Sequence, residues 1–420
     1  MTTKTPQTIR EQCKKAYDAS KLLISLNTQE KNELLLKMAQ SLVDSCSIIL
    51  QENENDLVEG KKKGTSDYLL DRLKLDATRV AGIADSIRTI STLDDPIGEV
   101  MSEWTRPNGL NISKIRVPLG VIGIIYEARP NVTADATSLA FKTGNSIVLR
   151  GSSSAYRSNK AIVEALKAPL IESGFNSDCI QLLEDTTREG VKYFVKMNDY
   201  ISLIIPRGGA SLIQSVLKEA SVPTVETGVG NCHVYVDKDA NLEKAKAIVF
   251  NSKTHRPSVC NSCESLVIHK EIADVFLPDT IEELQKAGVE IHGCKITQSL
   301  GKNILEASDE DWGQEYLDLT ISIKVVASPE EAIEHISKYG TYHSEAIVTE
   351  NTQTSDIFIK QIDASAVLVN ASTRFTDGGE FGFGAEIGIS TQKLHARGPM
   401  GLPEITSYKY IVKGTGQIRS

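Results

Sequence analysis

The chain has 420 residues and a net charge of −9, from 46 Lys and Arg against 55 Asp and Glu. At about 150 residues per domain, this length predicts two or three domains with cores that need no disulfides or structural metal. The negative charge argues against a general binder of nucleic acids or anionic membranes, so an anionic ligand needs a local cluster of cations or backbone N–H groups.

Cellular location is predicted from apolar segments and cysteines. The N-terminal residues contain no apolar core of a secretory signal, and the longest apolar-rich stretch, residues 117–126, is far shorter than the roughly 20 residues that span a bilayer. The seven cysteines have no framework spacing, which fits free thiols in a reducing compartment. The sequence therefore predicts a cytoplasmic, soluble enzyme or binding protein.

The first hundred residues are predicted to be helical. Apolar residues recur at helical spacing through residues 8–53, and the helical pattern that follows is broken near Gly60 and Gly64. A turn at 107–109 precedes residues 110–117, whose alternation predicts an exposed or intersubunit strand.

From residue 120 onward, short β-branched runs alternate with helical patterns. The predicted strands cover residues 120–126, 146–150, 200–206, 232–236, 264–269, 321–326, 345–349 and 366–370. This alternation is typical of parallel sheets covered by helices. The number of strands favours two doubly wound sheets over one, and the alternating C-terminal tail predicts an edge or interdomain strand.

Two glycine-containing turns follow predicted strands and open helices. Residues 150–152 read Arg-Gly-Ser, and residues 207–209 read Arg-Gly-Gly. Such a turn points backbone N–H groups and a helix N-terminus at its ligand, and an arginine favours phosphate. Helix capping by Ser152 or Ser153 accounts for the first turn equally well. The G-x-G-x-x-G fingerprint of dinucleotide-binding folds is absent.

The densest chemistry in the sequence surrounds Cys260. Lys253, His255 and Arg256 precede it, and a predicted strand follows. Nearby cations lower the pKa of a thiol, and the thiolate is the nucleophilic form, so Cys260 fits an activated nucleophile. The alternatives are a small buried side chain or a redox pair with Cys263. Zinc is disfavoured because no second ligand pair has matching spacing.

Two further segments contain candidate polar residues. Glu226 could be a general base, a ribose-binding group or a helix N-cap. The glycine-rich segment 370–390 contains Arg374 and follows a predicted strand. It is either a loop that closes over a substrate or an ordinary surface loop.

Six segments give the chain a resemblance to the γ-glutamyl phosphate reductases, a branch of the aldehyde dehydrogenase superfamily. They are residues 120–133, 143–151, 204–214, 223–237, the Cys260 segment, and 375–402. Members of this superfamily bind their dinucleotide without the G-x-G-x-x-G fingerprint. The resemblance implies an aldehyde-dehydrogenase-like α/β fold with two doubly wound domains and a small strand-built oligomerisation region.

The resemblance also implies domain boundaries. Residues 1–106 and 120–226 correspond to a dinucleotide-binding domain, and residues 227–394 to a catalytic domain. Residues 107–119 and 395–420 correspond to strands that bridge the subunits of a homo-oligomer.

The reaction implied by the resemblance is the NADPH-dependent reduction of L-glutamyl 5-phosphate to L-glutamate 5-semialdehyde and phosphate. It proceeds through a cysteine thioacyl intermediate and belongs to proline biosynthesis, which suggests association with the preceding glutamate kinase. The alternative is an aldehyde-oxidising NAD(P)-dependent dehydrogenase that uses the same cysteine with hydrolytic water.

Individual roles follow by position. Cys260 corresponds to the nucleophile, Glu226 to the superfamily's general base, and either Asn131 or Arg129 to its oxyanion-binding group. The residues expected to bind the cofactor are Arg150, Gly151, Ser152, Arg207, Gly208, Gly209 and Glu315. The residues expected, on charge grounds, to bind the substrate are Arg129, Lys253, Arg256 and Arg374. No metal is expected.

Overall fold

The computed structural model describes residues 4–419, the side chains of 4–6, 67, 68 and 210 excepted. The α-helices of this range are α1 Lys4–Leu23, α2 Thr28–Asp44, α3 Cys46–Lys62, α4 Asp67–Leu73, α5 Ala77–Thr92, α6 Pro130–Lys142, α7 Tyr156–Glu172, α8 Arg188–Phe194, α9 Ala210–Glu219, α10 Leu242–Thr254, α11 Lys270–Lys286, α12 Lys295–Leu300, α13 Asp309–Gly313, α14 Pro329–Tyr339 and α15 Thr352–Gln361. None of the helices in the described range is long and apolar enough to cross a membrane.

The strands of the same range form four sheets. They are β1 Val100–Thr105, β2 Asn111–Pro118, β3 Val121–Tyr126, β4 Ser146–Arg150, β5 Ile180–Leu182, β6 Leu203–Arg207, β7 Cys232–Val236, β8 Cys263–His269, β9 Glu290–Gly293, β10 Leu305–Glu306, β11 Thr320–Val326, β12 Ser344–Val348, β13 Ala366–Val369, β14 Ile389–Ser390, β15 Gly398–Pro399 and β16 Thr406–Lys413.

The N-terminal region is helical, as predicted, but the pattern over residues 8–53 is divided among three helices. Helix α2 begins anew after Asn27, whose side-chain oxygen accepts a hydrogen bond from the backbone N–H of Glu30 at 3.0 Å. The Glu30 carboxylate in turn accepts from the backbone N–H of Asn27 at 2.8 Å. This reciprocal capping box satisfies two donors at the helix start. The predicted break near Gly64 is confirmed, because α3 ends at Lys62 and Gly64 adopts φ of +73°. The predicted break near Gly60 is wrong, because Gly60 lies within α3.

The first of two units contains the residues up to Glu226, Gly382–Gly388 and those from Met400 onward. Its main sheet has four parallel strands in the order β5-β4-β3-β6. Strands β3 and β4 are buried along their whole length. Strands covered on both faces read as continuous apolar runs, which is why the sequence identified them. Strand β5 has three residues, too few to stand out.

A three-stranded antiparallel sheet also falls within the first unit. Strand β2 pairs with β1 on one side and with β16 on the other. The predicted strands at 110–117 and in the tail are therefore confirmed, whereas β1 was not predicted. Several large apolar side chains are exposed on this sheet: Val100, Trp104, Tyr408, Tyr410 and Val412.

The second unit contains Thr227–Phe381 and Ile389–Pro399. Its seven strands are all parallel, in the order β10-β9-β11-β8-β7-β12-β13. Two parallel sheets, each wound with helices, confirm the predicted α/β class. The chain returns to the first unit at Gly382–Gly388, a crossing that the predicted boundaries do not contain.

A substitution at Gly123 in β3 tests how tightly the first unit is packed around this strand. A Cβ atom there would lie 2.4 Å from Cδ1 of Ile204 and 2.7 Å from Cζ of Phe194. We expect Gly123→Ala to lower the free energy of unfolding by about 1–3 kcal/mol, because both side chains must shift. Urea unfolding followed by circular dichroism measures the change.

The matched control is Gly82→Ala on the exposed face of α5, where a Cβ atom meets nothing within 4 Å. Alanine is favoured over glycine in a helix, so this variant should gain roughly 0.5–1 kcal/mol. Equal losses in the two variants would contradict the packing described here.

Candidate active site

The two glycine-containing turns lie at the same edge of the four-stranded sheet. Arg150 ends β4 opposite Ile125, and Arg207 ends β6 opposite Tyr126, so the two arginines flank β3. Arg129 follows β3 and is the N-cap of α6. The carboxyl ends of parallel strands are where ligands bind in open α/β sheets. The fold thus brings these predicted residues to one edge.

Arg150 and Ser152 have structural partners at this edge. Nη2 of Arg150 donates to the carbonyl oxygens of Thr186 and Thr187, the second at 3.1 Å. The side chain is 9% exposed, and burial lowers the pKa of its guanidinium. Oγ of Ser152 accepts from the backbone N–H of Ser154, which is the capping alternative raised by the sequence. Arg150 therefore fastens a loop, and cofactor binding by these residues stays a prediction.

The second turn has the features of a phosphate site. Helix α9 begins after Gly209, and this N-cap makes no side-chain hydrogen bond. A Cβ atom on Gly208 would lie 2.7 Å from Cδ of Glu127, so the backbone passes close to that side chain. An uncapped helix N-terminus presents N–H groups and a positive dipole end to an anion. Cofactor binding by Arg207, Gly208 and Gly209 stays a prediction.

Gly151 at the first turn is also constrained by close packing. A Cβ atom there would lie 2.2 Å from Nδ2 of Asn159 and 3.2 Å from the ring of Tyr126. Any larger residue would displace one of these buried side chains, so the packing requires glycine at this point.

Asn131 in the first turn of α6 has a partner that the sequence reasoning missed. Its Nδ2 donates to Oδ2 of Asp135 at 3.1 Å. Burial raises the pKa of Asp135 to about 6, although hydrogen bonds from Asn131 and Ser86 and the charge of Arg207 act against the rise. The i, i+4 spacing on a helix was the available signal. Glu226 is half-buried and ends the first of the three segments that form the first unit, and its role as a general base stays a prediction.

Cys260 lies in the second unit, in the loop between α10 and β8, and is a half-buried cysteine outside any disulfide. Its carbonyl oxygen accepts a hydrogen bond from Sγ of Cys232 at 3.1 Å. A Cβ atom on Gly230 would lie 1.6 Å from the same oxygen. Only glycine can approach the Cys260 backbone this closely, so the segment before β7 fixes the position of the Cys260 main chain.

Of the arginines predicted to bind substrate, Arg374 lies within electrostatic range of both Cys260 and Arg256. The charges of Arg256 and Cys260 both act on Arg374, whose pKa is lowered by burial and by Arg256. Nε of Arg374 is buried and has no hydrogen-bond acceptor among residues 4–419. Nδ2 of Asn261 donates to the carbonyl of Thr376 at 2.9 Å and so ties the Cys260 loop to the segment that contains Arg374. This arrangement can receive an anion.

Lys253 is not available for substrate. Its Nζ lies 2.6 Å from Oε2 of Glu264, and both side chains are 0% exposed. Burial raises the pKa of Glu264 to about 7, although Lys253 opposes the rise. Lys253 was expected in the substrate site because of its positive charge. This reason fails, because Glu264 neutralises that charge in the core. Sequence reasoning missed Glu264 as its partner.

Glu315, expected at the nicotinamide ribose, lies next to the glycine segment that packs on Cys260. Its Oε1 accepts from the backbone N–H of Gly230 at 2.7 Å. Burial raises the pKa of Glu315, and this hydrogen bond opposes the rise. One carboxylate oxygen of Glu315 thus holds the segment that touches Cys260, and ribose binding stays a prediction.

The redox alternative for Cys260 finds little support. Cys263 is fully buried in β8, opposite Cys232 on β7. Burial raises the pKa of Cys263 to about 12, which leaves almost no thiolate to exchange with a disulfide. Within the described part of the chain, no group of three or more His, Cys, Asp or Glu is placed to hold a metal ion.

Comparison with known proteins decides the family. Residues 1–299 match the aldehyde dehydrogenase family. A γ-glutamyl phosphate reductase from Clostridium perfringens is 56% identical over 406 residues, which cover 97% of this chain and 98% of that protein. The chain belongs to the γ-glutamyl phosphate reductase branch of the aldehyde dehydrogenase family. The resemblance stated from the sequence is confirmed.

Solved structures agree with this family and its fold. The γ-glutamyl phosphate reductase of Thermotoga maritima is 48% identical and superposes with a TM-score of 0.96, covering 98% of this chain and 100% of that one. An acetylating aldehyde dehydrogenase from Geobacillus thermoglucosidasius is 17% identical and has a TM-score of 0.70, with coverage of 99% and 98%. The second likeness extends the aldehyde-dehydrogenase-like fold beyond the reductase branch.

Loss of Lys253 tests the buried ion pair beneath the Cys260 loop. We expect Lys253→Met to lower the free energy of unfolding by about 3–5 kcal/mol at pH 8, because Glu264 then holds a buried charge without a partner. The loss should shrink at pH 5. The pKa of Glu264 is already raised to about 7 in the folded protein, so the group contributes stability below its unfolded pKa and loses it as pH rises through the folded value. Urea unfolding at both pH values measures the difference.

Lys244→Met is the control, since Lys244 pairs with Glu350 at 2.9 Å on the exposed surface. Exposed pairs contribute at most about 1 kcal/mol, so this variant should show a small change. A loss in Lys253→Met that does not vary with pH would contradict the assignment of Glu264 as the titrating partner.

Proposed function

We propose that the chain catalyses the NADPH-dependent reduction of L-glutamyl 5-phosphate to L-glutamate 5-semialdehyde and phosphate in proline biosynthesis. The observation that supports it most is the position of Cys260. This half-buried thiol interacts electrostatically with Arg374, as does Arg256, in a chain 56% identical to a γ-glutamyl phosphate reductase. A cationic surrounding suits both a thiolate and an anionic acyl phosphate.

In the first step the Cys260 thiolate attacks the acyl carbon of the substrate. A carbon–sulfur bond forms, the bond from carbon to the phosphate oxygen breaks, and phosphate leaves with the electron pair. Phosphate is a good leaving group, so its departure needs little acid catalysis. Arg256 and Arg374 favour the thiolate and bind the phosphate, and Nε of Arg374 has no competing acceptor among the described residues.

In the second step the thioester is reduced, the carbon–sulfur bond breaks, and aldehyde is released as the thiolate returns. Bound NADPH supplies the hydride for this reduction. The residues that would hold the cofactor are the turn at 207–209, for its pyrophosphate, Arg150, Gly151 and Ser152 at the neighbouring strand end, and Glu315, for its ribose. Asn131 or Arg129 supports the oxyanion, and Arg129 also contributes positive charge for substrate.

Glu226 has a smaller part in this reaction than in an oxidative dehydrogenase. An aldehyde-oxidising enzyme needs a base to activate water, whereas an acyl-phosphate reductase releases phosphate and needs no hydrolytic water. We assign Glu226 to contact with the cofactor or to the positioning of Cys260.

The assembly and location of the enzyme are also part of the proposal. The three-stranded sheet exposes Trp104, Tyr408 and Tyr410, an aromatic surface that suits pairing with a second copy of the chain. We propose a cytoplasmic homo-oligomer. Association with the kinase that makes the acyl phosphate would shorten the path of this reactive intermediate.

Phosphate dependence separates the proposed reaction from aldehyde oxidation. In the reverse direction, oxidation of glutamate 5-semialdehyde should require phosphate and proceed with NADP⁺ in preference to NAD⁺, since phosphate releases the acyl group from Cys260. Steady-state absorbance of the reduced cofactor, with and without phosphate, measures this. Formation of glutamate at the same rate without phosphate would establish the oxidative alternative instead.

Replacement of Cys260 tests the nucleophile. We expect Cys260→Ser to lower kcat by at least about 10³-fold, because a hydroxyl in this position is a far weaker nucleophile than a thiolate. Cys46→Ser is the control, since Cys46 is a half-buried free thiol at the start of α3. Full turnover in Cys260→Ser would refute the thioacyl mechanism, and a similar loss in Cys46→Ser would point to a general effect of cysteine replacement.

A further inference from the structure

A network of buried polar side chains holds the Arg374 segment, residues 372–376, against the Cys260 loop. Nδ2 of Asn261 donates to the carbonyl oxygen of Thr376 at 2.9 Å and lies 3.5 Å from that of Arg374. Asn261 is 3% exposed and directly follows Cys260 in the chain. One amide group therefore joins the nucleophile's loop to the backbone on the C-terminal side of Arg374.

A second set of contacts attaches the same segment to the end of α10. Oγ of Ser252, in α10, lies 2.9 Å from Oγ of Ser372 and accepts from the backbone N–H of Thr373 at 3.3 Å. Oγ of Ser372 in turn accepts from the backbone N–H of Arg374 at 3.3 Å. Ser252 is fully buried, and Ser372 is 5% exposed. The backbone on the N-terminal side of Arg374 is thus held from the helix that precedes Cys260.

Burial varies along the Arg374 segment. Thr373 and Thr376 are 0% exposed, whereas Arg374 between them is half-buried and Phe375 is 48% exposed. The charges of Arg374 and Cys260 act on each other. The hydrogen bonds therefore fix a backbone in the core, and that backbone carries a partly exposed cation within electrostatic range of the thiol.

A hydrogen-bonded network fixes this separation more closely than apolar packing does. Hydrogen bonds weaken steeply away from their preferred distances and angles, so each bond to the Arg374 segment restricts where its backbone can lie. Placement matters at this level, because a displacement of about 1 Å at a reacting site can cost roughly a hundredfold in rate. Buried polar side chains that hold a neighbouring functional group are the usual means of such placement.

We propose that Asn261 is a positioning residue, which holds Arg374 at the separation from Cys260 that phosphate recognition requires. This inference rests on the proposed function, in which phosphate is the leaving group. In the reverse reaction a phosphate oxygen attacks the acyl carbon of the thioester, the carbon–sulfur bond breaks, and the Cys260 thiolate leaves with the electron pair. Arg374 binds the same anion in both directions, so the apparent affinity for inorganic phosphate measures how well it is placed.

Phosphate protection of the thiol tests this role without turnover. Iodoacetamide alkylates Cys260, and mass analysis of the peptides follows that residue alone. Inorganic phosphate should slow alkylation of the wild-type chain in a saturable way, and chloride at equal ionic strength should not. Asn261→Ala should raise the phosphate concentration that gives half protection by at least about tenfold, because Arg374 is no longer held near the thiol.

Two further variants accompany this measurement. Asn53→Ala is the matched control, since Asn53 is equally buried and donates to the Leu73 carbonyl at 2.8 Å but lies in the first unit. It should leave the half-protecting phosphate concentration unchanged. Ser252→Ala removes the second attachment of the Arg374 segment and should raise that concentration even if Asn261→Ala folds poorly.

A double-variant cycle separates positioning from a general loosening of the fold. Arg374→Met should itself raise the half-protecting concentration, and adding Asn261→Ala should then change it by less than about twofold, because the two residues act as one unit. A purely structural residue would add its full effect to that of Arg374→Met. In the reverse reaction, Asn261→Ala should raise the KM for phosphate and leave the KM for NADP⁺ unchanged.

Three results would overturn the positioning role: no protection of the wild-type thiol by phosphate, an unchanged half-protecting concentration in both Asn261→Ala and Ser252→Ala, or effects of Asn261→Ala and Arg374→Met that multiply in the double variant. Protection that weakens as expected, in a chain with no phosphate-dependent oxidation, would support the role of Asn261 and refute the proposed reaction. The two conclusions can therefore fail separately.

Discussion

The loop that contains Cys260 depends on one buried ion pair. Lys253 lies near the end of α10 and Glu264 near the start of β8, so their contact closes the segment between them. The same carboxylate accepts from the backbone N–H of Leu317 at 3.3 Å, two residues after Glu315. Isolated charges are very costly to bury, whereas a matched pair tolerates complete burial. The pair therefore holds the strand, the helix and the Glu315 segment in one arrangement.

The burial of Lys253 also determines which cations act near the thiol. With this ammonium neutralised, Arg374 is a cation that interacts with Cys260, and Arg256 interacts with Arg374 in turn. A net charge of −9 does not exclude an anion there, because the field at short range depends on nearby groups more than on the total charge. The hydrogen bond from Asn261 to the Thr376 carbonyl keeps the loop and the Arg374 segment together.

The sequence predicts the parallel strands well because short runs rich in β-branched residues favour an extended, buried backbone over a helix or a loop. Residues 146–150 and 232–236 match β4 and β7 at both ends. Strands β9 and β10, of four and two residues, are too short to show a periodic pattern. The division of the N-terminal helices depends on the Asn27 capping box, a local signal that the spacing of apolar residues does not reveal.

Side-chain direction and strand order account for what the sequence could not predict about the site. Lys253 and Arg256 are three residues apart, yet one points into the core and the other is exposed after the helix ends. Their positive charge alone does not predict which of the two side chains is buried. Glu264 and Glu345 lie in buried strands, so each carboxylate needs a partner. The identity of the partner depends on which elements lie next to each strand: β7, which contains His233, the partner of Glu345, pairs directly with β12.

The pairing of β16 with β2 has a consequence for biosynthesis. Thr406 lies opposite Pro118 in this antiparallel ladder. All the strands of the two parallel sheets lie between β2 and β16 in the sequence. Contacts this distant in sequence close slowly and late. During translation β2 emerges long before β16, so it waits with an open edge while the α/β elements fold. Completion of this sheet is thus a late event, and a surface built on it for copies of the chain becomes available only once each copy has been synthesised through β16.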